Sequence, residues 1–304
     1  MFSVLGTLML MGVVLDTGIS ITLNIFIVMV AAKSMKNGRK VFPPDVIHLV
    51  MGLVNLLLQC CLSVQSFLFV LYISAMFVRE FYIPMTVFIL TLTYFSSWLN
   101  ALLSSYYFAT ITNFTHQLFL WFRKMISTSL WLLLSLSALD SFIVAVSSIW
   151  ALNVEIETDS LDNCTGGNSF IKGMLSFHPS YVLVGAILGS FLPFALTLLS
   201  ILLTFASLIK HVNKIRQKNS GFTRQAHINA IRRMFLLLTI CSIFCICQLM
   251  LLPSRVGSSY SSLVTISQIL MIIFPIADAI VIIQASSKMQ QTLVKTFCTC
   301  AGKQ

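Results

Sequence analysis

Three polar side chains interrupt long apolar stretches of the sequence at matching depth. Asn24, Asn55 and Asp278 each lie nine or ten residues from a charged residue at the end of their stretch. At a rise of about 1.5 Å per helical residue, all three lie about 15 Å from the same membrane boundary. Polar groups at that depth are costly and usually face the interior of a helix bundle. We therefore predict one polar cluster of Asn24, Asn55 and Asp278.

Three kinds of chemistry are open to such a cluster. It can be a two-state switch between packed helices, or a cation or proton site at the Asp278 carboxylate. It can also be a static packing contact, since an interhelical polar bond in a membrane contributes about 0.6 kcal/mol. A second polar pair, Asn100 and Asp140, lies at similar depth in two neighbouring stretches. We predict a structural bond between these two side chains.

Motifs for catalysis are absent from the sequence. There is no His-Glu-x-x-His, no cysteine pair at metal-ligand spacing, no phosphate-binding loop and no nucleophile elbow. We therefore expect neither an enzyme nor a cofactor, and we find no motif for a metal centre. Four histidines are predicted to lie at the membrane boundary and not within the bundle: His48, His116, His211 and His227.

The elements that must position these residues are seven long apolar stretches. The 304-residue chain is 58% hydrophobic and 9% charged, whereas a soluble domain carries about 25% charged residues. Stretches of about 20 apolar residues cross a bilayer as helices, and none of these alternates as a membrane strand would. We predict an all-α membrane protein with a single seven-helix domain over residues 1–304 and a short tail at 286–304. The predicted helices are about 4–32, 46–73, 82–110, 126–150, 180–209, 231–252 and 263–285.

Basic residues are concentrated on one side of the predicted membrane. Of the 19 Lys and Arg residues, 16 follow the first, third, fifth or seventh stretch, and the exceptions are Arg79, Lys172 and Arg255. The positive-inside rule then predicts that the N-terminus is outside and the C-terminus is cytoplasmic. The net charge of +10 is explained by this topology and by anionic lipids, without nucleic acid.

Two kinds of covalent modification are predicted from this topology. Asn163-Cys164-Thr165 is an N-glycosylation acceptor in a long loop on the predicted outer side. Asn113 belongs to a similar pattern but faces the cytoplasm, so we expect it to stay unmodified. Cys298 and Cys300 follow the seventh helix and are either palmitoylation sites or free thiols.

The stretch from Trp98 to Arg123 resembles the third helix and second cytoplasmic loop of the vertebrate type 2 (bitter) taste receptors. The family's pattern is roughly W-x-x-x-x-L-S-x-F-Y-F-x-K-I-A-N-F-S-H-x-x-F-L-W-x-K, and the sequence WLNALLSSYYFATITNFTHQLFLWFR aligns with it without a gap. Shorter pieces resemble the family in the same order along the chain: Asn24–Ile27, Pro44–Ile47, Pro193–Phe194, Ala226–His227 and Lys288–Thr292.

This resemblance implies a G-protein-coupled receptor of the plasma membrane. Such a receptor is a multi-pass glycoprotein that acts as a transducer in the sensory transduction of taste. It implies a small-molecule bitter agonist and a heterotrimeric G protein of the gustducin or inhibitory kind as partners. The chain departs from the family's Arg in helix 2, His in helix 7 and Lys in helix 3, where it has Asn55, Asp278 and Thr110. Two of these departures fall in the predicted polar cluster, so we expect them to compensate for each other.

The resemblance also implies where ligands bind. Ile89 and Thr93 match a common Trp and Asn pair of the bitter-receptor pocket, and Gly185 and Gly189 would leave room for a ligand. Other residues at a similar height complete the predicted agonist site: Gln65, Ser66, Gln268 and Met271. The predicted G-protein contacts are His116, Arg123, Lys124, Lys210, Lys214, His227 and Arg232.

Two alternative functions remain open. A vomeronasal-like pheromone receptor shares the seven-helix plan, although the motif after helix 3 argues against it. A small-solute transporter usually has internal repeats, broken helices and several charges near the midplane. This sequence has separated carboxylates and no visible repeat, which favours the receptor.

Overall fold

A computed structural model describes residues 4–37, 42–71, 79–111, 124, 126, 128–158, 171–216, 235–248 and 262–301. In these ranges the chain forms packed helices and one β-hairpin. The elements are α1 (Val4–Asn37), α2 (Pro43–Leu71), α3 (Arg79–Ile111), α4 (Leu130–Val146, with one more turn at Ser148–Ala151), β1 (Leu152–Thr158), β2 (Ile171–Phe177), α5 (Pro179–Val184, Gly185–Phe191 and Leu192–Arg216), α6 (Phe235–Gln248), α7 (Ser262–Ala285) and α8 (Ser287–Ala301).

The helices have the length and composition of membrane spans. Five of them are long and apolar enough to cross a bilayer, namely Leu10–Lys36, Pro43–Leu68, Glu80–Thr110, Leu130–Ala151 and Ser180–Ser207. The pair formed by α7 and α8 passes the same test with a bend of 96° between them, and α6 is shorter but apolar. The all-α membrane fold predicted from the sequence is confirmed.

The outer face of α4 shows why these helices need lipid around them. Leu132, Leu136, Leu139 and Ile143 recur every three or four residues on one face, and each is more than half exposed. A contiguous apolar surface of this kind is unusual on a soluble monomer. In a bilayer the same side chains contact acyl chains, so their exposure carries no hydrophobic cost.

The main core lies where α1, α2, α3, α4 and α7 meet. α3 contacts α2, α4 and α5, while α1 contacts α2 and α7. Gly52 brings α2 close to α1, because a Cβ atom there would lie 2.9 Å from Val28 Cγ2. The buried apolar side chains of this core include Ile27, Ile47, Met51, Leu58, Leu99, Leu103 and Ile282.

A two-stranded hairpin connects α4 to α5, where the sequence analysis predicted only a loop. β1 and β2 are antiparallel, with a register from Leu152 opposite Phe177 to Thr158 opposite Ile171. The amide of His178 closes the base of the hairpin by donating to the Ala151 carbonyl at 2.7 Å. The missed signal was the alternation of apolar and acidic residues in β1, which is typical of a strand.

The first part of α5 is widened into a π-helix over Gly185–Phe191. Pro193 follows this segment, and proline can neither donate to the carbonyl four residues earlier nor pack closely against it. A wider turn at this place avoids that clash and leaves the helix continuous. The π segment packs against Tyr94 of α3, whose side chain is only 2% exposed.

Candidate functional site

A polar contact joins α2 and α7 in the interior of the bundle. Asn55 Nδ2 donates to Asp278 Oδ2 at 2.9 Å, and both residues are 0% exposed. Asn24 of α1 donates from Nδ2 to the Pro275 carbonyl of α7 at 3.5 Å and to the Ser20 carbonyl at 2.9 Å. The two contact points on α7, Pro275 and Asp278, are three residues or about one turn apart. The structure thus brings the three residues of the predicted cluster together within about one turn of α7.

Asn100 of α3 adds a fourth side chain to this cluster. It interacts with the Asp278 carboxylate, and its Nδ2 also donates to the Ser96 carbonyl at 3.2 Å. The predicted bond between Asn100 and Asp140 was wrong. Asp140 Oδ2 instead accepts a hydrogen bond from Trp98 Nε1 at 2.9 Å. Trp98 and Asn100 are two residues apart, about 200° around α3, so they face different neighbours.

Four buried oxygen atoms in the cluster accept no hydrogen bond from any group that the structure describes. They are Asn24 Oδ1, Asn55 Oδ1, Asn100 Oδ1 and Asp278 Oδ1. A buried acceptor without a donor costs about 1–3 kcal/mol. The cluster is therefore rich in oxygen atoms and short of positive or donating groups. We name the four residues Asn24, Asn55, Asn100 and Asp278 the Asp278 cluster.

A small cavity of about 20 Å³ lies beside the Asp278 cluster. Asn100, a member of the cluster, lines it together with Cys241. It holds about one water-sized particle, far below the roughly 300–1,000 Å³ of a drug-sized ligand site. The other lining residues are Ser97, Ser190, Phe194, Thr197, Phe244, Cys245 and Phe274.

An aromatic contact between α6 and α7 forms part of the cavity lining. The ring centroids of Phe244 and Phe274 are 4.0 Å apart, with an angle of 32° between the ring planes. Both rings are at least nine-tenths buried. This contact packs α6 against α7.

The residues of the predicted agonist site do not line this cavity. Thr93 is buried, at 2% exposed, and Ile89 packs against the main core. The cavity lining begins about one turn further along α3 and α7. On α3 it begins at Ser97, one turn after Thr93, and on α7 it begins at Phe274, about one turn after Met271. Gln65 and Ser66 are half-buried on α2, Met271 is half-buried on α7, and the Gln268 side chain lies outside the described part.

The prediction that Gly185 and Gly189 leave room for a ligand was wrong. The ring of Tyr94 occupies that space. A Cβ atom on Gly185 would lie 2.9 Å from Tyr94 Oη, and one on Gly189 would overlap the Tyr94 ring. The two glycines serve a close helix-to-helix contact, which the sequence could not distinguish from an open pocket.

Few of the predicted cytoplasmic contacts are described by the structure. Lys124 is exposed, and Lys210 and Lys214 lie on the last turns of α5. Cys298 and Cys300 lie near the end of α8. The remaining predicted residues fall outside the described ranges: His116, Arg123, Asn163, His227 and Arg232.

Two polar contacts join α1 to its neighbours at opposite ends and were not predicted. Asp45 Oδ2 accepts from Ser34 Oγ at 2.5 Å and lies 3.4 Å from Lys288 Nζ, which joins α1, α2 and α8. Gln59 Nε2 donates to Asp16 Oδ2 at 2.7 Å. The sequence signal for the second contact was a carboxylate inside an apolar stretch.

His48 was predicted to lie at the membrane boundary and not within the bundle, but the structure buries it inside the bundle, one turn from Asp45. It is 3% exposed, and neither ring nitrogen has a hydrogen-bond partner among the described residues. Neighbouring helices pack against the first turns of α2, so His48, only three positions beyond Asp45, is already buried. The position of His48 in the sequence does not show this packing.

Membrane-length helices around a buried polar cluster define the class of protein. It is a multi-pass membrane protein built mainly of helices, with five or six membrane-length spans among the described residues. The sequence model of the family described as "Taste receptor protein (TAS2R)" matches residues 1–301. The chain therefore belongs to the TAS2R family of taste receptors, which are G-protein-coupled receptors and not enzymes.

Individual relatives match over almost their whole length. The chain is 27% identical to human taste receptor type 2 member 2, over 98% of this chain and 97% of that protein. It is 27% identical to mouse taste receptor type 2 member 7, over 96% of this chain and 94% of that protein. The resemblance stated from the sequence is confirmed, which argues against the pheromone-receptor and transporter alternatives.

Proposed function

We propose that this receptor detects a small, largely apolar bitter compound and activates a heterotrimeric G protein of the gustducin or inhibitory kind. The observation that carries the proposal is the family match over residues 1–301. The proposed receptor is one seven-helix domain over residues 1–304, with residues 286–304 as its tail. It has no need of a cofactor, because ligand binding and helix movement are enough for signalling.

The proposed orientation has the N-terminus outside and the C-terminus in the cytoplasm. The distribution of 16 of the 19 Lys and Arg residues supports it. In this orientation the β-hairpin is on the outer side, and the contact of Ser34 and Asp45 with Lys288 is on the inner side. Asn163 is then available for glycosylation, and Cys298 and Cys300 are available for palmitoylation beside the inner leaflet.

The agonist is proposed to enter from outside and to bind above the small cavity. Thr93 and Met271 lie about one turn further out than the cavity lining at Ser97 and Phe274. A ligand at Thr93 and Met271 would press on the Phe244–Phe274 contact between α6 and α7. Movement of α6 relative to α7 would then open the inner face of the bundle to the G protein.

The proposed agonist contacts are the predicted ones without the two glycines: Gln65, Ser66, Ile89, Thr93, Gln268 and Met271. The proposed G-protein contacts are His116, Arg123, Lys124, Lys210, Lys214, His227 and Arg232. Asn24, Asn55 and Asp278 are proposed as the two-state contact between α1, α2 and α7. If these residues form a two-state contact, Asp278→Asn should change either the basal or the agonist-driven signalling. Signalling that is unchanged in both measurements would exclude the two-state contact.

Calcium release in cells that express the receptor with a promiscuous gustducin-type G protein tests the function. A panel of bitter compounds is screened, and each active compound is then measured on Thr93→Ala and Gln268→Ala. We expect at least one agonist, with potency lowered about tenfold by one of these changes, which corresponds to about 1.4 kcal/mol.

Thr22→Ala is the matched control for the agonist site. Thr22 is exposed on α1 and bonds only within its own helix, to the Gly18 carbonyl. Its replacement should leave agonist potency unchanged. If no agonist changes potency on Thr93→Ala or Gln268→Ala, the agonist site lies elsewhere. Silence of surface-expressed receptor toward the whole panel would contradict the bitter-compound proposal.

A further inference from the structure

The lipid-facing side of α4 carries one charged side chain in an otherwise apolar surface. Asp140 is half-buried and is the only charged residue of Leu130–Val146. Leu136 and Ile143 lie about one turn before and after it, Leu139 is adjacent, and these three side chains are 52%, 58% and 53% exposed. We name the surface of Leu136, Leu139, Asp140 and Ile143 the α4 outer face. A carboxylate among lipid-facing side chains is costly and calls for a partner.

Asp140 lies at the centre of the α4 membrane span. The span runs from Leu130 to Ala151, and Asp140 is the eleventh of its 22 residues. Trp131 and Trp150 lie near the two ends and are 64% and 80% exposed, as is typical of tryptophan at the two membrane interfaces. These tryptophans are separated by about 28 Å of helix, close to the thickness of about 30 Å of the hydrocarbon core. Asp140 is therefore about 15 Å from either interface.

Neighbouring protein groups satisfy only part of the Asp140 carboxylate. Trp98 Nε1 of α3 donates to Asp140 Oδ2 at 2.9 Å, and an indole side chain has no second proton to donate. The hydroxyl groups of Ser137 and Ser141 donate to carbonyls of α4, and that of Ser97 donates to a carbonyl of α3. The described residues contain one ion pair, which does not include Asp140. The negative charge of Asp140 is thus not balanced within the described part of the chain.

The depth of Asp140 determines which groups can reach it. Lipid headgroups and sterol hydroxyl groups lie at the interfaces, about 15 Å away, and water is scarce in the hydrocarbon core. A second copy of the chain lacks a matching group at this level. In the described parts of α1 to α7, exposed Lys, Arg, Asn and Gln side chains occur only near helix ends, at Lys33, Lys36 and Gln284. A basic side chain on a different membrane helix can reach this depth, and intramembrane charges usually pair with one another.

We propose that the α4 outer face binds a transmembrane helix of another membrane protein, one that carries a Lys or Arg side chain near its midpoint. The basic group forms an ion pair with Asp140, and Trp98 holds the carboxylate against α3. The apolar side chains of the α4 outer face pack against the partner helix in place of acyl chains. This surface is on the outside of the bundle, so the proposal does not depend on the agonist or on the G protein.

Fluorescence energy transfer in vesicles tests the proposal. The purified full-length receptor, labelled on a C-terminal tag, is reconstituted in phosphatidylcholine vesicles with an acceptor-labelled synthetic helix. This helix is a leucine-rich peptide of about 20 residues, long enough to cross the bilayer, with one Lys at its centre. The control peptide has Leu at that place. We expect the Lys peptide to bind saturably and about tenfold more tightly than the Leu peptide, which corresponds to about 1.4 kcal/mol.

Matched receptor variants assign this binding to the carboxylate. Asp140→Asn removes the charge but keeps an oxygen atom that accepts from Trp98 Nε1. It should reduce the affinity for the Lys peptide to that for the Leu peptide. Asp16→Asn is the control, because it makes the same change at a half-buried carboxylate of α1 that is bonded to Gln59. The Asp16→Asn receptor should keep the full preference for the Lys peptide.

A second pair of variants tests the surface without a change at Asp140. Ile143→Trp adds bulk at a lipid-facing position of the α4 outer face and should weaken binding of the Lys peptide, because the large ring keeps the partner helix at a distance. Ile19→Trp is the control, since Ile19 is 53% exposed on α1, and it should leave binding unchanged. These two variants decide the question if Asp140→Asn does not fold.

Four results would overturn the proposal. Equal binding of the two peptides to the wild type would mean that the carboxylate is protonated or hydrated and needs no basic partner. A preference for the Lys peptide that persists in Asp140→Asn would place the contact elsewhere, as would equal effects of Ile143→Trp and Ile19→Trp. Energy transfer between two labelled receptors that is lost in Asp140→Asn, without a preference for the Lys peptide, would make a second copy the occupant.

Discussion

The Asn55 amide and the Asp278 carboxylate form a fully buried side-chain contact between α2 and α7. Their atoms are 2.9 Å apart, and neither residue has any exposed surface. The family pattern that the sequence resembles has Arg and His at these two places. In this chain an amide donor and an acid acceptor replace two basic side chains, so the positive charge at this level of the bundle is lost and a complementary pair takes its place. A hydrogen bond to a charged group contributes about 1.5–3 kcal/mol.

A double-mutant cycle measures this contact. We expect Asn55→Ala to lower the stability of the receptor by about 1.5–3 kcal/mol, and to cost much less when Asp278 is already Ala, since the bond is then absent. Thermal unfolding of the four proteins gives the coupling free energy. Ser66→Ala is the control, because Ser66 bonds only to the Leu62 carbonyl of its own helix. Additive effects within about 0.5 kcal/mol would show that the two side chains do not interact.

At the scale of residues, the sequence predicted how deep the polar side chains lie in the bundle, but it did not predict which neighbouring helix each side chain faces. Counting from charged flanks placed Asn24, Asn55 and Asp278 at one level, because helical rise is nearly constant. The same counting paired Asn100 with Asp140, which are level but face different helices. The direction of a side chain around its helix depends on which neighbours that helix packs against. That information lies in tertiary contacts and not in residue spacing.

At the scale of elements, the packing of α5 on α3 depends on a glycine pair. Gly185 and Gly189 belong to the π-helical segment of α5 and receive the ring of Tyr94. The sequence suggested an open space at these glycines, yet glycine spacing is equally suited to close helix contact. The wider π turn and the ring together fix how α5 lies against α3, and therefore where Ser190 and Phe194 line the cavity.

Replacement of Gly189 by alanine tests this packing. We expect Gly189→Ala to lower the Tm, because the new methyl group overlaps the Tyr94 ring and overpacking costs about 1–3 kcal/mol. Gly12→Ala is the matched control, since a Cβ at Gly12 has no atom within 4 Å. It should be neutral or stabilising, because alanine favours a helix over glycine by about 1 kcal/mol. Equal effects of the two substitutions would contradict the close contact.

At the scale of the whole molecule, composition predicted most of the fold. Low charge and long apolar runs leave only a helical bundle in lipid, because each helix satisfies its own backbone hydrogen bonds. The hairpin of β1 and β2 escaped prediction because seven residues of alternation are a weak signal beside six or seven long helices. The cavity also escaped it, since its volume results from the rotation of four helices at once.

The proposed orientation of the whole receptor predicts a pattern of glycosylation. Asn163→Gln should abolish the mobility shift that glycosidase treatment produces, because the loop that carries Asn163 is proposed to be outside. Asn113→Gln should leave the shift unchanged, because its loop is proposed to be cytoplasmic. A C-terminal tag should react with antibody only after the cells are permeabilised. A tag that is accessible on intact cells would reverse the orientation.

Agonist-dependent nucleotide exchange tests the central claim most directly. The purified receptor is reconstituted with a gustducin-type heterotrimeric G protein, and a compound that is active in cells is added. The proposed function predicts that the compound accelerates nucleotide exchange on the G protein in proportion to receptor occupancy, and that Asp278→Asn alters the basal or the stimulated rate. If folded receptor, verified by its unfolding transition, gives no compound-dependent exchange, the chain does not signal as a bitter receptor through this class of G protein.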